Sequence, residues 1–106
     1  MAQYTVQTVT RDGIEPTENP VAASDVFNND GNVRLWVDNQ NAGTCTVTIV
    51  TQATVDGQAV SDKTVAIPTG EKRLIGPFPP GVYNDDNSQV TVQFSVTSNV
   101  TCACFK

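Results

Sequence analysis

Hydrophobic and polar positions alternate with a period of two along most of this chain, the pattern of strands that bury one face. The cleanest stretch sets Cys45, Val47 and Ile49 against Thr44, Thr46 and Thr48. Val33, Leu35 and Val37 alternate with Arg34, Trp36 and Asp38, and Val90, Val92, Phe94 and Val96 with Thr91, Gln93 and Ser95. A strand is also predicted over 3–10, with Tyr4, Val6 and Thr8 on one side, and the pattern resumes over 100–105. Turn signals separate these runs at 29–32, 39–43, 55–58, 68–70 and 97–99. The segment Gly76 to Gly81 contains three prolines that lack backbone donors, so it is predicted as a loop or an edge.

The alternation lapses over 11–32. Gly13, Pro16, Pro20 and Gly31 stand there among Asn and Asp at seven positions, which predicts an irregular loop or extended arm. Within it, 20–27 is compatible with a short edge strand or one helical turn. The short, evenly spaced strands predict one all-β domain over 1–106, a small antiparallel β-sandwich of immunoglobulin-like or jelly-roll-like type with that arm at its N-terminal side. Composition agrees: 16 Val and 14 Thr face only 2 Leu, and β-branched residues favour strands over helices.

The chain has no histidine, which excludes Ser/His/Asp and Cys/His catalysis and imidazole-bound zinc. Its net charge is −5, and apart from Lys72-Arg73 the basic residues stand singly, so direct nucleic-acid binding is not expected. No apolar run reaches the length of a membrane span. The N-terminus, Met1-Ala2-Gln3-Tyr4, lacks the basic and apolar regions of a signal peptide, and a cytoplasmic origin is expected. No cofactor is predicted.

Three cysteines, Cys45, Cys102 and Cys104, leave one over whatever pair forms. They read either as buried, reduced thiols or as an interchain crosslink, and the position of two of them near the C-terminus leads to the expectation that at least one bonds a neighbouring chain. A three-thiolate metal site lacks a fourth ligand. Two clusters, Asp25 with Asn28, Asn29 and Asp30, and Tyr83 to Asn87, are either calcium-binding oxygens or solvated turns. Candidate interface residues are Trp36, opposite the inward side chains of its strand, the loop residues Phe78, Pro79, Pro80 and Tyr83, and Phe105. Trp36 is either a second-layer core residue or an exposed anchor, and Phe78 either a docking knob or a plug at the sandwich end.

The succession NDGNVRLWVDN (29–39), VTIVTQ (47–52), TVDG (54–57), Ile67-Pro68, GPFPP (76–80) and Tyr83-Asn84 resembles a family of small structural proteins of tailed bacteriophages, capsid decoration or minor head proteins. The likeness covers roughly 20–100. It implies a non-enzymatic β-sandwich on the capsid surface, assembled in the host cytoplasm, with no catalytic residues to carry over. The implied partners are the major capsid protein or other virion proteins, in a homo-oligomer or many-copy lattice. Other readings are a neck, tail or fibre-attachment position, an immunoglobulin-like module for carbohydrate or a cell surface, and an unrecognised hydrolase.

Overall fold

The alternating runs become strands in the computed structural model, which describes residues 3–106. In chain order the elements are β1 (Gln3–Tyr4), β2 (Val6–Gln7), β3 (Asn19–Pro20), β4 (Ser24–Asn28), β5 (Arg34–Asn39), β6 (Cys45–Ile49), β7 (Thr54–Val55), β8 (Gln58–Ala59), β9 (Lys63–Ile67), β10 (Lys72–Ile75), the single turn α1 (Pro80–Tyr83), β11 (Gln89–Phe94) and β12 (Val100–Phe105).

Sheet I has the order β1-β4-β11-β6-β9, and sheet II the order β10-β5-β12-β2, with β3 also on β12. Without β1 and β2, the two layers read β4-β11-β6-β9 and β10-β5-β12-β3, with every neighbour antiparallel. This is the eight-stranded jelly-roll order, in which the chain changes sheet at nearly every connection. It decides between the two sandwich types that the spacing allowed. The domain is not wholly antiparallel, because β1 runs parallel to β4 and β2 parallel to β12.

The inward side chains meet in one core, where Phe27, Leu35, Val37, Val47, Ile49, Ile67, Val90 and Val92 have no exposed surface. Burying a Val, Leu or Ile side chain contributes about 1.5–3 kcal/mol. The Val and Thr alternation is thus a division between inside and outside. In β6, for example, Cys45, Val47 and Ile49 are buried while Thr46 and Thr48 are only partly covered.

Two sequence expectations change. The predicted strand over 3–10 is two pieces in different sheets: Tyr4 sits beside Phe27 in sheet I, and Val6 beside Cys104 in sheet II, with Thr5 between them. The predicted irregular stretch 11–32 contains β3 and β4, and β4 is flanked on both sides by β1 and β11. Its inward positions are Asp25 and Phe27, so one residue that reads as a turn former is a core residue.

Buried amides close the strand ends. Asn39 Nδ2 donates to the carbonyls of Ile67 at 2.8 Å and Gly43 at 3.1 Å, and its Oδ1 accepts from the Asn41 amide at 3.0 Å. At the other end Asn29 Nδ2 donates to the Phe78 carbonyl and to Asn84 Oδ1, while Asn84 Nδ2 donates back to the Asn29 carbonyl. Gly76 lets this end close: its φ is +125°, and a Cβ there would stand 3.1 Å from the Val33 carbonyl oxygen. Asn39→Ala is expected to cost on the order of 3 kcal/mol, because it strands buried carbonyls without donors. Urea unfolding checks this, and a loss no greater than that of the exposed control Thr64→Ala contradicts it.

Candidate interaction surface

The two outer faces of the sandwich differ in chemistry. On sheet I, strand parity puts Thr46, Thr48, Thr64, Thr91 and Gln93 outside, in register across β11, β6 and β9. On sheet II the outward residues are Lys72 and Leu74 on β10, Arg34, Trp36 and Asp38 on β5, and Thr101, Ala103 and Phe105 on β12. Leu74 stands directly beside Trp36 in register and is 57 % exposed. Parity therefore places Trp36 on the outer layer, where its ring is half-buried, between the two forms that the sequence allowed.

That cover comes from the segment before β3. Trp36 Nε1 donates to Glu18 Oε1 at 3.1 Å, and Thr101 Oγ1 donates to the same oxygen at 3.3 Å. Gln7 holds the segment in place, accepting from the Thr17 amide at 2.9 Å and donating to the Thr17 carbonyl at 2.8 Å. Pro16, Glu18, Trp36 and Phe105 then enclose a shallow groove of about 300 Å³ with almost wholly apolar walls. Trp36 and Phe105 belong to one site.

The remaining candidates lie elsewhere. Phe78 is 3 % exposed and packs 5.7 Å from the Phe27 ring and edge-on, at 5.9 Å, to Tyr83. It is the plug at the sandwich end, since docking would need a ring that the core already holds. Pro79 and Pro80 remain exposed and Tyr83 is half-buried beside them.

Cys45, Cys102 and Cys104 are free thiols with no exposed surface. The expected interchain disulfide is therefore corrected: all three point into the core because they occupy inward positions of β6 and β12, where no second chain reaches them. Burial pushes the Cys102 thiol up to about 12 and raises Cys104 and Cys45 as well, which keeps all three protonated and unreactive.

The first acidic cluster does not converge. Asp25 is fully buried and accepts from the Tyr4 hydroxyl and, at 2.8 Å, from the Ala22 amide. Burial, and then that bond to Asp25, hold the Tyr4 phenol well above its ordinary ionisation range. Asn29 belongs to the amide clasp, and Asp30 forms a surface ion pair with Lys106 that lowers the Asp30 carboxyl. In the second cluster Asp85 Oδ1 caps its own turn, accepting from the Asn87 and Gln89 amides. Among the described residues no three Cys, Asp or Glu side chains are grouped as metal ligands. No helix among them is long and apolar enough to cross a membrane.

Leu74 and Glu18 were not legible as site residues. Leu74 and Ile75 are adjacent and cannot both face inward, and that parity was the available signal. Glu18 lies in the aperiodic stretch, and nothing local tied it to Trp36. Compared with family models, curated proteins and solved structures, the chain matches none.

The raised thiols carry a pH dependence. The folded chain keeps protons that the unfolded chain releases above the ordinary thiol value of 9.0, so this stabilisation is complete below that pH and is lost as pH rises toward about 12. Cys102 is expected to remove up to about 1.4 kcal/mol per pH unit in that window. Urea midpoints should fall above pH 9, with a shallower slope in Cys102→Ala, whereas equal slopes contradict the assignment.

Proposed function

We propose that this protein is a non-enzymatic structural subunit of a bacteriophage virion that decorates or stabilises the capsid through protein–protein contacts. The observation that carries the reading is the outer face of sheet II, where Leu74 lies open beside Trp36 and Trp36 in turn lines one groove with Phe105. A small domain gains little from an exposed leucine beside an aromatic groove unless another surface covers them. A jelly-roll body suits such work. Its strands are short, its β12 edge is occupied by β2 and β3, and its β4 edge by β1, so stray pairing there is limited. The resemblance over 29–39, 47–52, 54–57, 67–68, 76–80 and 83–84 supports a capsid position and the major capsid protein as partner. Neck, tail and fibre attachment use the same kind of contact and differ only in location.

One observation favours a second reading. The planes of Trp36 and Phe105 beside the Glu18 carboxylate are the groups on which a sugar ring stacks and to which its hydroxyls donate, so a carbohydrate-binding module is the rival.

The test is mass spectrometry of gradient-purified, salt-washed phage particles, with copy number normalised to the major capsid protein. The proposal expects a fixed, many-copy ratio in heads. Absence from washed heads contradicts it, and retention on a glycan array instead selects the rival.

A further inference from the structure

The outward residues of β5 run Arg34, Trp36, Asp38: a cation, an aromatic ring and an anion along one strand. Outward neighbours on a strand are about 6.6–6.8 Å apart, so the two charges flank the ring at nearly equal distances. Among the described residues neither charge has an ion-pair partner in its own chain, where the two pairs are Arg73 with Glu71 and Lys106 with Asp30. Arg34 is exposed and its guanidinium reaches only the Asn32 carbonyl, at 3.5 Å, while Asp38 accepts from Gln40 Nε2 at 2.7 Å.

A stripe of this form is complementary to its own reverse. We propose that the outer face of sheet II pairs with the same face of a second copy of this chain, about a two-fold axis that lies in the interface, crosses the strands and passes through Trp36. Opposing β5 strands then run antiparallel, Trp36 meets its counterpart, and Arg34 of each copy faces Asp38 of the other, so that one axis generates both ion pairs. Leu74 shares its register with Trp36 and so lies on the same axis, where it covers and is covered by its own counterpart. The alternative face-to-face packing, with the strands parallel, sets Arg34 on Arg34 and Asp38 on Asp38. Like-charge contact excludes it, so the charges select the register.

The opposite sheet has no such device. Its outer face presents Thr and Gln, with neither an exposed large apolar side chain nor a charged stripe in the register of β11, β6 and β9. Assigning a second copy to sheet II leaves the loop ends, with the exposed Pro79 and Pro80, for the lattice partner. The inference takes its surface from the proposed virion role and adds the occupant. It is tested on purified protein alone, so its failure and that of the virion reading are separately visible.

The experiment is sedimentation equilibrium of the full chain up to roughly 0.5 mM, the weak end of specific association, alongside emission from Trp36, the single tryptophan. The wild type is expected to approach twice the 11.3 kDa chain mass, with a blue shift of Trp36 emission at the same midpoint. Arg34→Asp and Asp38→Arg each oppose like charges at both contacts and are expected to weaken association at least tenfold. An equimolar mixture of the two variants restores opposite charges at both contacts and is expected to recover wild-type association as a heterodimer. Leu74→Lys, which touches neither charge, is expected to abolish it, and circular dichroism confirms that each variant is folded. A monomeric wild type over the whole range, charge variants that associate like the wild type, or a mixture no tighter than its components overturns the proposal.

Discussion

A chain of 106 residues with few aromatics has one interior to fill, and here it is filled from two sides by strands that each contribute a single face. Every other feature depends on that constraint. Because the chain passes from one sheet to the other at nearly every connection, each layer is assembled from strands distant in sequence, and neither sheet is stable before the other supplies its cover. The inner faces take the buried Leu and most of the buried Val, Ile and Phe, and the outer faces are left free to be specified for something else.

Polar groups enter the interior only where the layers have to be fastened. Asn39 and Asn29 sit at opposite ends of the sandwich and bind carbonyls that would otherwise end a strand unpaired. Asp25 is the less expected case, a carboxylate at an inward position of β4 joined to Tyr4 on the strand beside it. Every buried side-chain nitrogen or oxygen among the described residues has a partner, so hydrogen bonds offset the cost of burying these groups and tie them to one particular strand arrangement. They also explain why β1, only two residues long, can be held: Tyr4 is a core residue and a donor at once.

The alternating runs of β5, β6, β11 and β12 were legible because their inward positions carry apolar side chains with few exceptions, and Asp56-Gly57 marked its turn by the positive φ that both residues adopt. Strand β4 was legible only as an edge strand or a helical turn over 20–27, not as a strand paired on both sides. Asp25 breaks its apolar phase, and only the distant Tyr4 explains why an acid is tolerated there. The separation of β1 from β2 was hidden for a related reason, since a continuous alternation does not record that the chain changes sheets at Thr5. The cysteines followed the parity of their strands. Their odd number pointed outward, while their phase, the same as Val47 and Val100, placed them inside. At the candidate surface the residue types were visible, but the register that sets Leu74 beside Trp36 and lays Glu18 against its indole arises from pairing between distant segments.

On the proposed reading, one outer face of the sandwich is built for contact and the other is not. Hydroxyl-radical footprinting of the chain, free at low concentration and then in its assembled state, tests this at single residues. Leu74 and Trp36 are expected to become protected on assembly while Val9 and Val55, also apolar and exposed at 56 % and 67 %, keep their reactivity. Unchanged oxidation of Leu74 and Trp36, with protection on the threonine-rich face or at Val55 instead, would contradict it.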